Sequence, residues 1–313
     1  MYKCCVNEIY QKTLLNNLQF EGIGLHSGLK SKMKVLPAKE NSGIIFKRTD
    51  LEDNNVVKAN INNVSSAKLC TTIENEFGVK VSTVEHLMSA FYMTGIDNAI
   101  VEIDSIEVPI MDGSSKDFVE EIKRTGLKIQ SKKIKYLKIL KKCRIQEDQK
   151  FLELNPNILG LGVSFQLNYK NELIGKQKND INFLNDNLKD VYSSRTFCLY
   201  EDIEQIKKIG LAKGGSLDNA VVVDKDKVLN SEGLRNEKEF VNHKILDLAG
   251  DFFLSGYRII GDVNCFQGGH QLSIDFLKKL FEDKLNFLII ENQTSDRNKQ
   301  NISTADNKIA VNA

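Results

Sequence analysis

The chain is predicted to be an α+β protein of two similar halves, with helices packed on sheets, and three observations carry that expectation. Asp97-Asn98-Ala99-Ile100-Val101 and Asp218-Asn219-Ala220-Val221-Val222 open two runs that share a triplet and close at Asp112-Gly113 and Glu232-Gly233. Each run leads into the same kind of helix opening, Lys116-Asp117-Phe118-Val119 and Lys238-Glu239-Phe240-Val241. Each is also preceded by apolar residues at helical spacing. In the first half these are Val84, Leu87, Met88 and Phe91 after Ser82 as N-cap; in the second, Ile203, Ile206 and Ile209, ending at Gly210. A repeated order of strand, turn and helix reads as an internal duplication.

In chain order, residues 43–47, 99–103, 151–154 and 220–223 are short apolar or β-branched runs bounded by turn residues, hence strands. A glycine and a lysine-rich stretch over 126–133 follow the first closing helix and mark a boundary. The first domain is therefore expected over 1–128 and the second over 134–292. Beyond Asn292 the chain turns polar, and 293–313 is expected to be a disordered tail without assigned function.

The 313 residues carry 43 basic and 42 acidic side chains, a net charge of +1. A dedicated nucleic-acid binder would show a basic excess, so that class is set aside. No stretch approaches the roughly 20 apolar residues that span a bilayer. The opening residues Met1 to Asn7 lack the apolar core of a signal peptide, which makes the cytoplasm the expected compartment. Six scattered cysteines (Cys4, Cys5, Cys70, Cys143, Cys198, Cys265) read as free thiols in reducing surroundings. Nothing asks for a second copy, so a monomer is expected.

Four local patterns could carry chemistry. His243 and Asp247 stand four apart, on one face of a helix, and could offer imidazole and carboxylate to one ion such as Zn²⁺. Glu85-His86 could pair a metal ligand with a proton acceptor. His270, after Gly268-Gly269, could act as a general acid or stabilise an oxyanion, with Asp251 on the Asp247 face to hold it. Thr196, in Ser194-Arg195-Thr196-Phe197, could hydrogen-bond a carbonyl oxygen. Taken alone, each is more readily an ordinary surface pair, half-buried helix residue or loop side chain.

Taken together they resemble the UDP-3-O-acyl-N-acetylglucosamine deacetylase family, the zinc enzymes of lipid A synthesis. The likeness runs from about Gln11 to Asn292. It includes Gly22-Ile23-Gly24-Leu25-His26-Ser27-Gly28, Leu69-Cys70-Thr71-Thr72, Ser82-Thr83-Val84-Glu85-His86-Leu87 and Gly95-Ile96-Asp97-Asn98-Ala99. It continues through Pro109-Ile110-Met111-Asp112-Gly113-Ser114, Ser194-Arg195-Thr196-Phe197 and Gly214-Gly215-Ser216-Leu217-Asp218. It closes with His243-Lys244-Ile245-Leu246-Asp247-Leu248-Ala249-Gly250-Asp251 and Gly269-His270.

The resemblance implies two layered β-α-α-β domains, each with a small insert, and an active site in the cleft between them. It implies that His86, His243 and Asp247 bind one catalytic Zn²⁺, although Fe²⁺ could also occupy such a set. A zinc-bound water would attack the acetamide of an acylated UDP-amino-sugar, with Glu85 as general base. Thr196 would polarise the carbonyl. His270, oriented by Asp251, would stabilise the oxyanion and protonate the leaving amine. Lys244 would face the diphosphate, with His26 assisting in a basic patch. Phe197, Ile203, Gly215, Ser216 and Val222 would line an acyl channel in the second insert, with Leu69 and Cys70 near its mouth. After Gly269-His270 the family tends to continue with Leu and Asn, where this chain has Gln271-Leu272, which bears on how His270 is positioned. Two alternatives stay open: a zinc hydrolase acting on another acylated sugar or amide, and a metal-binding protein without turnover. The presence of both Glu85 and His270 argues against the second.

Overall fold

The computed structural model describes residues 10–291. The expected tail at 293–313, and Cys4 and Cys5, lie outside them.

The first half holds β1 (Tyr10–Leu14), β2 (Leu18–Ile23), β3 (Lys30–Pro37), β4 (Ile44–Arg48) and β5 (Val56–Lys58). A small sheet of β6 (Val64–Ser66), β7 (Thr72–Glu74) and β8 (Lys80–Ser82) is inserted next. Then come α1 (Glu85–Thr94), β9 (Ala99–Ile103), α2 (Lys116–Thr125) and β10 (Leu127–Lys133). Five strands join in the order β2-β3-β9-β4-β5. All neighbours in that sheet are antiparallel except β4 and β9. Strand β3 shows why it forms: Ser31, Met33 and Val35 are buried while Lys30 and Lys32 face solvent, the period-2 pattern of a half-buried strand.

The second half runs β11 (Lys135–Ile139), β12 (Cys143–Glu147), β13 (Lys150–Pro156), β14 (Leu161–Asn168) and β15 (Lys176–Asn182). Its insert contains α3 (Lys189–Tyr192), β16 (Phe197–Leu199), α4 (Ile203–Lys208), β17 (Val221–Asp224) and β18 (Lys227–Val228). It closes with α5 (Glu239–Phe253), β19 (Arg258–Phe266), α6 (His270–Glu282) and β20 (Phe287–Glu291). Strands β12, β13 and β19 are neighbours in that order, with β14 on the other flank of β19 and β15 beyond it. Along that path only β14 and β19 are parallel. Strands β11 and β20 extend the sheet beside the start of β19.

Five strands of each half therefore follow one order and sense, β2-β3-β9-β4-β5 against β12-β13-β19-β14-β15, but not where the sequence suggested. The first Asp-Asn-Ala run enters β9, the centre of its sheet; the second enters β17, inside the three-stranded insert sheet. The topological counterpart of β9 is β19. Likewise the counterpart of α1 is α5, whereas α4 is a six-residue helix with no buried residue. Ser82 is not an N-cap. It ends β8, and the helix begins at Glu85 with Val84 in the cap position and no side-chain cap bond. The lysine-rich stretch at the expected boundary forms β10, which pairs antiparallel with β1.

The halves meet through their helices, α1 lying along α5, with α2 against α1 and α6 against α5. In α5 every residue except Lys244 is buried. A helix enclosed on all sides must satisfy its polar side chains internally. The close approach needs Gly250, where a Cβ would collide with the Glu85 backbone carbonyl.

Candidate active site

Helices α1 and α5 bring the predicted ligands together. One ligand atom each from His86, His243 and Asp247 lies within 4.8 Å of the others, and all three residues are buried. Asp247 Oδ1 is 3.5 Å from His86 Nε2 and 3.4 Å from His243 Nε2. Two donors each about 2.0–2.1 Å from a tetrahedral zinc are separated by roughly 3.3 Å, so these spacings fit a metal.

Protonation makes the fit sharper. His243 Nδ1 lies 3.1 Å from the Ser194 carbonyl oxygen, which can only accept. Nδ1 therefore carries the hydrogen, and Nε2 presents a lone pair to Asp247. Burial pushes His243 down to about 3, keeping it neutral. Although burial works the other way, the cations Lys244 and His270 hold Asp247 well below the usual carboxylate range. Asp247 Oδ1 has no hydrogen-bond partner. Two buried lone-pair atoms 3.4 Å apart repel unless a cation lies between them.

Around this cluster stand the proton-handling groups. His270 is the first residue of α6 rather than a loop residue. Its Nδ1 meets Asp251 Oδ2 at 2.9 Å, and its Nε2 lies 3.7 Å from Glu85 Oε1. Burial alone would strip its proton, but Asp251, Asp247 and Glu85 together push the group up to about 10. The protonated ring thus keeps its positioning from Asp251, whatever follows it: Gln271 points to solvent and Leu272 into the core. Burial raises the Glu85 pKa against the pull of His270 and His86.

Thr196 reaches the site on a segment pinned at several points. Its N–H donates to the Gly113 carbonyl of the first half at 2.7 Å. Next to it, the buried Arg195 pairs with Glu239 at 2.8 Å, which fixes the stretch that also offers the Ser194 carbonyl. Local pattern alone singles out none of Arg195, Glu239 and Ser194.

Glu85, His86, Thr196, Phe197, His243, Lys244, Asp247 and His270 line one cavity of about 530 Å³. It shares Leu25, His26, Leu69, Thr196 and Phe197 with a second, apolar cavity of about 360 Å³ inside the second insert. Ile203, Gly215, Ser216 and Val222 line this second space, joined by Ile206, Leu217 and Leu229.

A sequence profile described as LpxC, UDP-3-O-acyl N-acetylglycosamine deacetylase, matches residues 11–282. A protein named UDP-3-O-acyl-N-acetylglucosamine deacetylase from Actinobacillus pleuropneumoniae serotype 3 (strain JL03) is 39% identical over 283 residues, 88% of this chain and 91% of that one. Proteins of the same name from Shewanella frigidimarina (strain NCIMB 400) and Haemophilus ducreyi (strain 35000HP / ATCC 700724) are each 40% identical, covering 87% and 88% of this chain and 90% and 91% of their own. The chain belongs to the UDP-3-O-acyl-N-acetylglucosamine deacetylase family.

Three residues that the resemblance implicates in substrate binding have other neighbours in this deacetylase family member. Cys70 lines neither cavity; it is buried, with its thiol pushed up to about 12 by burial and by Glu85. His26 lines both cavities. Burial lowers its pKa despite Glu107, and its Nδ1 accepts the Ala212 N–H at 3.3 Å. Lys244 is not free for an anion alone: its Nζ bonds Asp247 Oδ2 at 2.9 Å and lies 5.5 Å from the Phe197 ring centre. Lys68 and Lys150, which the sequence reading passed over, also line the larger cavity. No helix among the described residues is long and apolar enough to cross a membrane.

Proposed function

We propose that the chain hydrolyses the N-acetyl group of a UDP-3-O-(3-hydroxyacyl)-N-acetylglucosamine in lipid A synthesis, releasing acetate and the free 2-amino sugar. The supporting observation is the continuity of the cavity holding the His-His-Asp cluster with an apolar one, through shared walls such as Leu69, Thr196 and Phe197. Such a pair of spaces suits a substrate whose scissile amide sits close to a long acyl chain.

His86, His243 and Asp247 would hold Zn²⁺, or Fe²⁺, which supplies Lewis acidity towards water and the amide carbonyl. The chain's own residues handle the protons. Glu85 accepts one from the attacking water through Oε1, the oxygen turned towards His270. Thr196 donates to the carbonyl oxygen as it gains charge. His270, cationic and held by Asp251, steadies the oxyanion and gives its proton to the departing nitrogen as the C–N bond breaks. Lys244 has a second task near the diphosphate besides its bond to Asp247. The 1–128 and 134–292 segments act as two domains related by duplication, and the shared order and sense of five strands in each half support that reading. The protein works as a cytoplasmic monomer.

The test is to measure bound metal and acetate release for wild type, Glu85→Ala and His243→Ala. Glu85→Ala should keep metal and lose at least about 100-fold in turnover. His243→Ala should lose metal and turnover together. Bound metal with no acetate release from wild type would overturn the substrate assignment.

A further inference from the structure

We propose that Thr71 is a positioning residue that orients the general base and the His270 acid as one unit; this rests on the activity proposed above. Thr71 precedes β7 and is fully buried, at the junction of the first insert with α1 and α5. Its backbone N–H donates to Glu85 Oε2 at 3.0 Å. Its hydroxyl donates to Asp251 Oδ1 at 2.6 Å. Its carbonyl accepts the Val84 N–H, one residue before Glu85. All its polar groups thus serve the entry of α1 and the two carboxylates that flank His270.

Which oxygens are taken matters. Thr71 occupies Oε2 of Glu85 and Oδ1 of Asp251. The other oxygen of each carboxylate faces the imidazole: Oδ2 of Asp251 at Nδ1, 2.9 Å away, and Oε1 of Glu85 at 3.7 Å from Nε2. The contacts close a ring, Thr71 to Glu85 to His270 to Asp251 and back. A buried carboxylate with an unpaired oxygen would rotate or draw in another donor. By donating to the rear oxygen of each, Thr71 fixes both rotamers and keeps both front oxygens for proton transfer. The residue belongs to the first half and Asp251 to the second, so the ring also aligns the base on α1 with the acid across the helix interface.

Thr71→Val isolates the hydroxyl, since it keeps the shape and the N–H bond to Glu85. We expect kcat to fall about 10- to 100-fold, the range typical of lost supporting hydrogen bonds. KM should stay within about twofold and bound metal should be unchanged, because neither substrate nor ligands touch the hydroxyl. Thr71→Ser should restore kcat to within about twofold of wild type. In ¹⁵N-histidine-labelled protein, the His270 Nδ1–H resonance should move in Thr71→Val and return in Thr71→Ser. In an Asp251→Ala background, Thr71→Val should cost little more, because the hydroxyl acts through Asp251.

Undiminished kcat in Thr71→Val, or an equal loss in the Asp251→Ala background, would overturn the proposal. Should Thr71→Val fail to fold, Thr71→Ser decides: it keeps the hydroxyl, so a large loss of kcat there assigns Thr71 to packing. Absence of acetate release from wild type would sink the activity, while the histidine resonance would still test the positioning.

Discussion

The charge on His270 ties stability to pH through its contacts with Asp251 and Glu85. Its pKa rises from the ordinary 6.5 to about 10 in the folded, metal-free protein. A raised value means that the protonated ring stabilises the fold fully below pH 6.5, and that this contribution is lost as pH climbs through about 10. The expected outcome, in chelator-treated protein, is a Tm that declines between those limits in wild type and declines less in His270→Gln. Parallel curves for the two proteins would show that His270 is not charged at neutral pH. Much of the centre could be read at this scale. The i to i+4 spacing of His243, Asp247 and Asp251 survives any detail of tertiary structure, because a helix fixes which side chains share a face. The partners could not be read. Thr71 and Ser194 act through a buried hydroxyl and a carbonyl, groups that nearly every residue or many residues possess, so only three-dimensional proximity singles them out.

At the scale of elements, the contact between α1 and α5 sets the site, and Gly250 sets that contact. Gly250→Ala should force the helices apart, costing about 1–3 kcal/mol in overpacking. Thermal denaturation should show a lower Tm, and metal analysis a weaker site, because His86 withdraws from His243 and Asp247. A stable variant with full metal would mean that the interface yields elsewhere. In the second insert, Val222 on β17 lines the apolar cavity. Val222→Trp should lower kcat/KM for a long-chain substrate by about tenfold, roughly 1.4 kcal/mol, and spare a short-chain analogue. Equal losses on both would point to a general distortion. Strands and helices were legible from local pattern, but their place in the sheets was not. An Asp-Asn-Ala turn before a β-branched run specifies a strand, and both runs became strands. Which neighbours a strand acquires depends on non-local pairing, so β9 ended central and β17 peripheral. The true match between halves lies in strand order and sense, which leaves no shared triplet behind.

For the molecule as a whole, the predicted ligands come from both sides of the helix interface, so metal and fold are linked. Free metal at 1,000 times its Kd should add roughly 4 kcal/mol to stability. Scanning calorimetry with and without a chelator should therefore show a clear fall in Tm on stripping, and an unchanged Tm would mean that the halves are held without it. A cross-half ion pair, Arg235 to Asp112 at 2.7 Å, adds an acid-sensitive element. Although burial works the other way, Ser114 and Arg235 lower the Asp112 pKa below 3.8, so its contribution is present above that value and is lost as pH falls further. Asp112→Asn should flatten stability against pH below about 4, read by circular dichroism. The strand ladders have a further property. Every paired strand lies wholly before or wholly after Ile134. Cutting the peptide there would sever no ladder among the described residues, and the two fragments would reassociate through the α1–α5 contact and cross-half bonds such as Thr196 N–H to the Gly113 carbonyl and Arg235 to Asp112. Neither fragment alone carries the complete His-His-Asp set, so recovered metal binding would report their complementation directly.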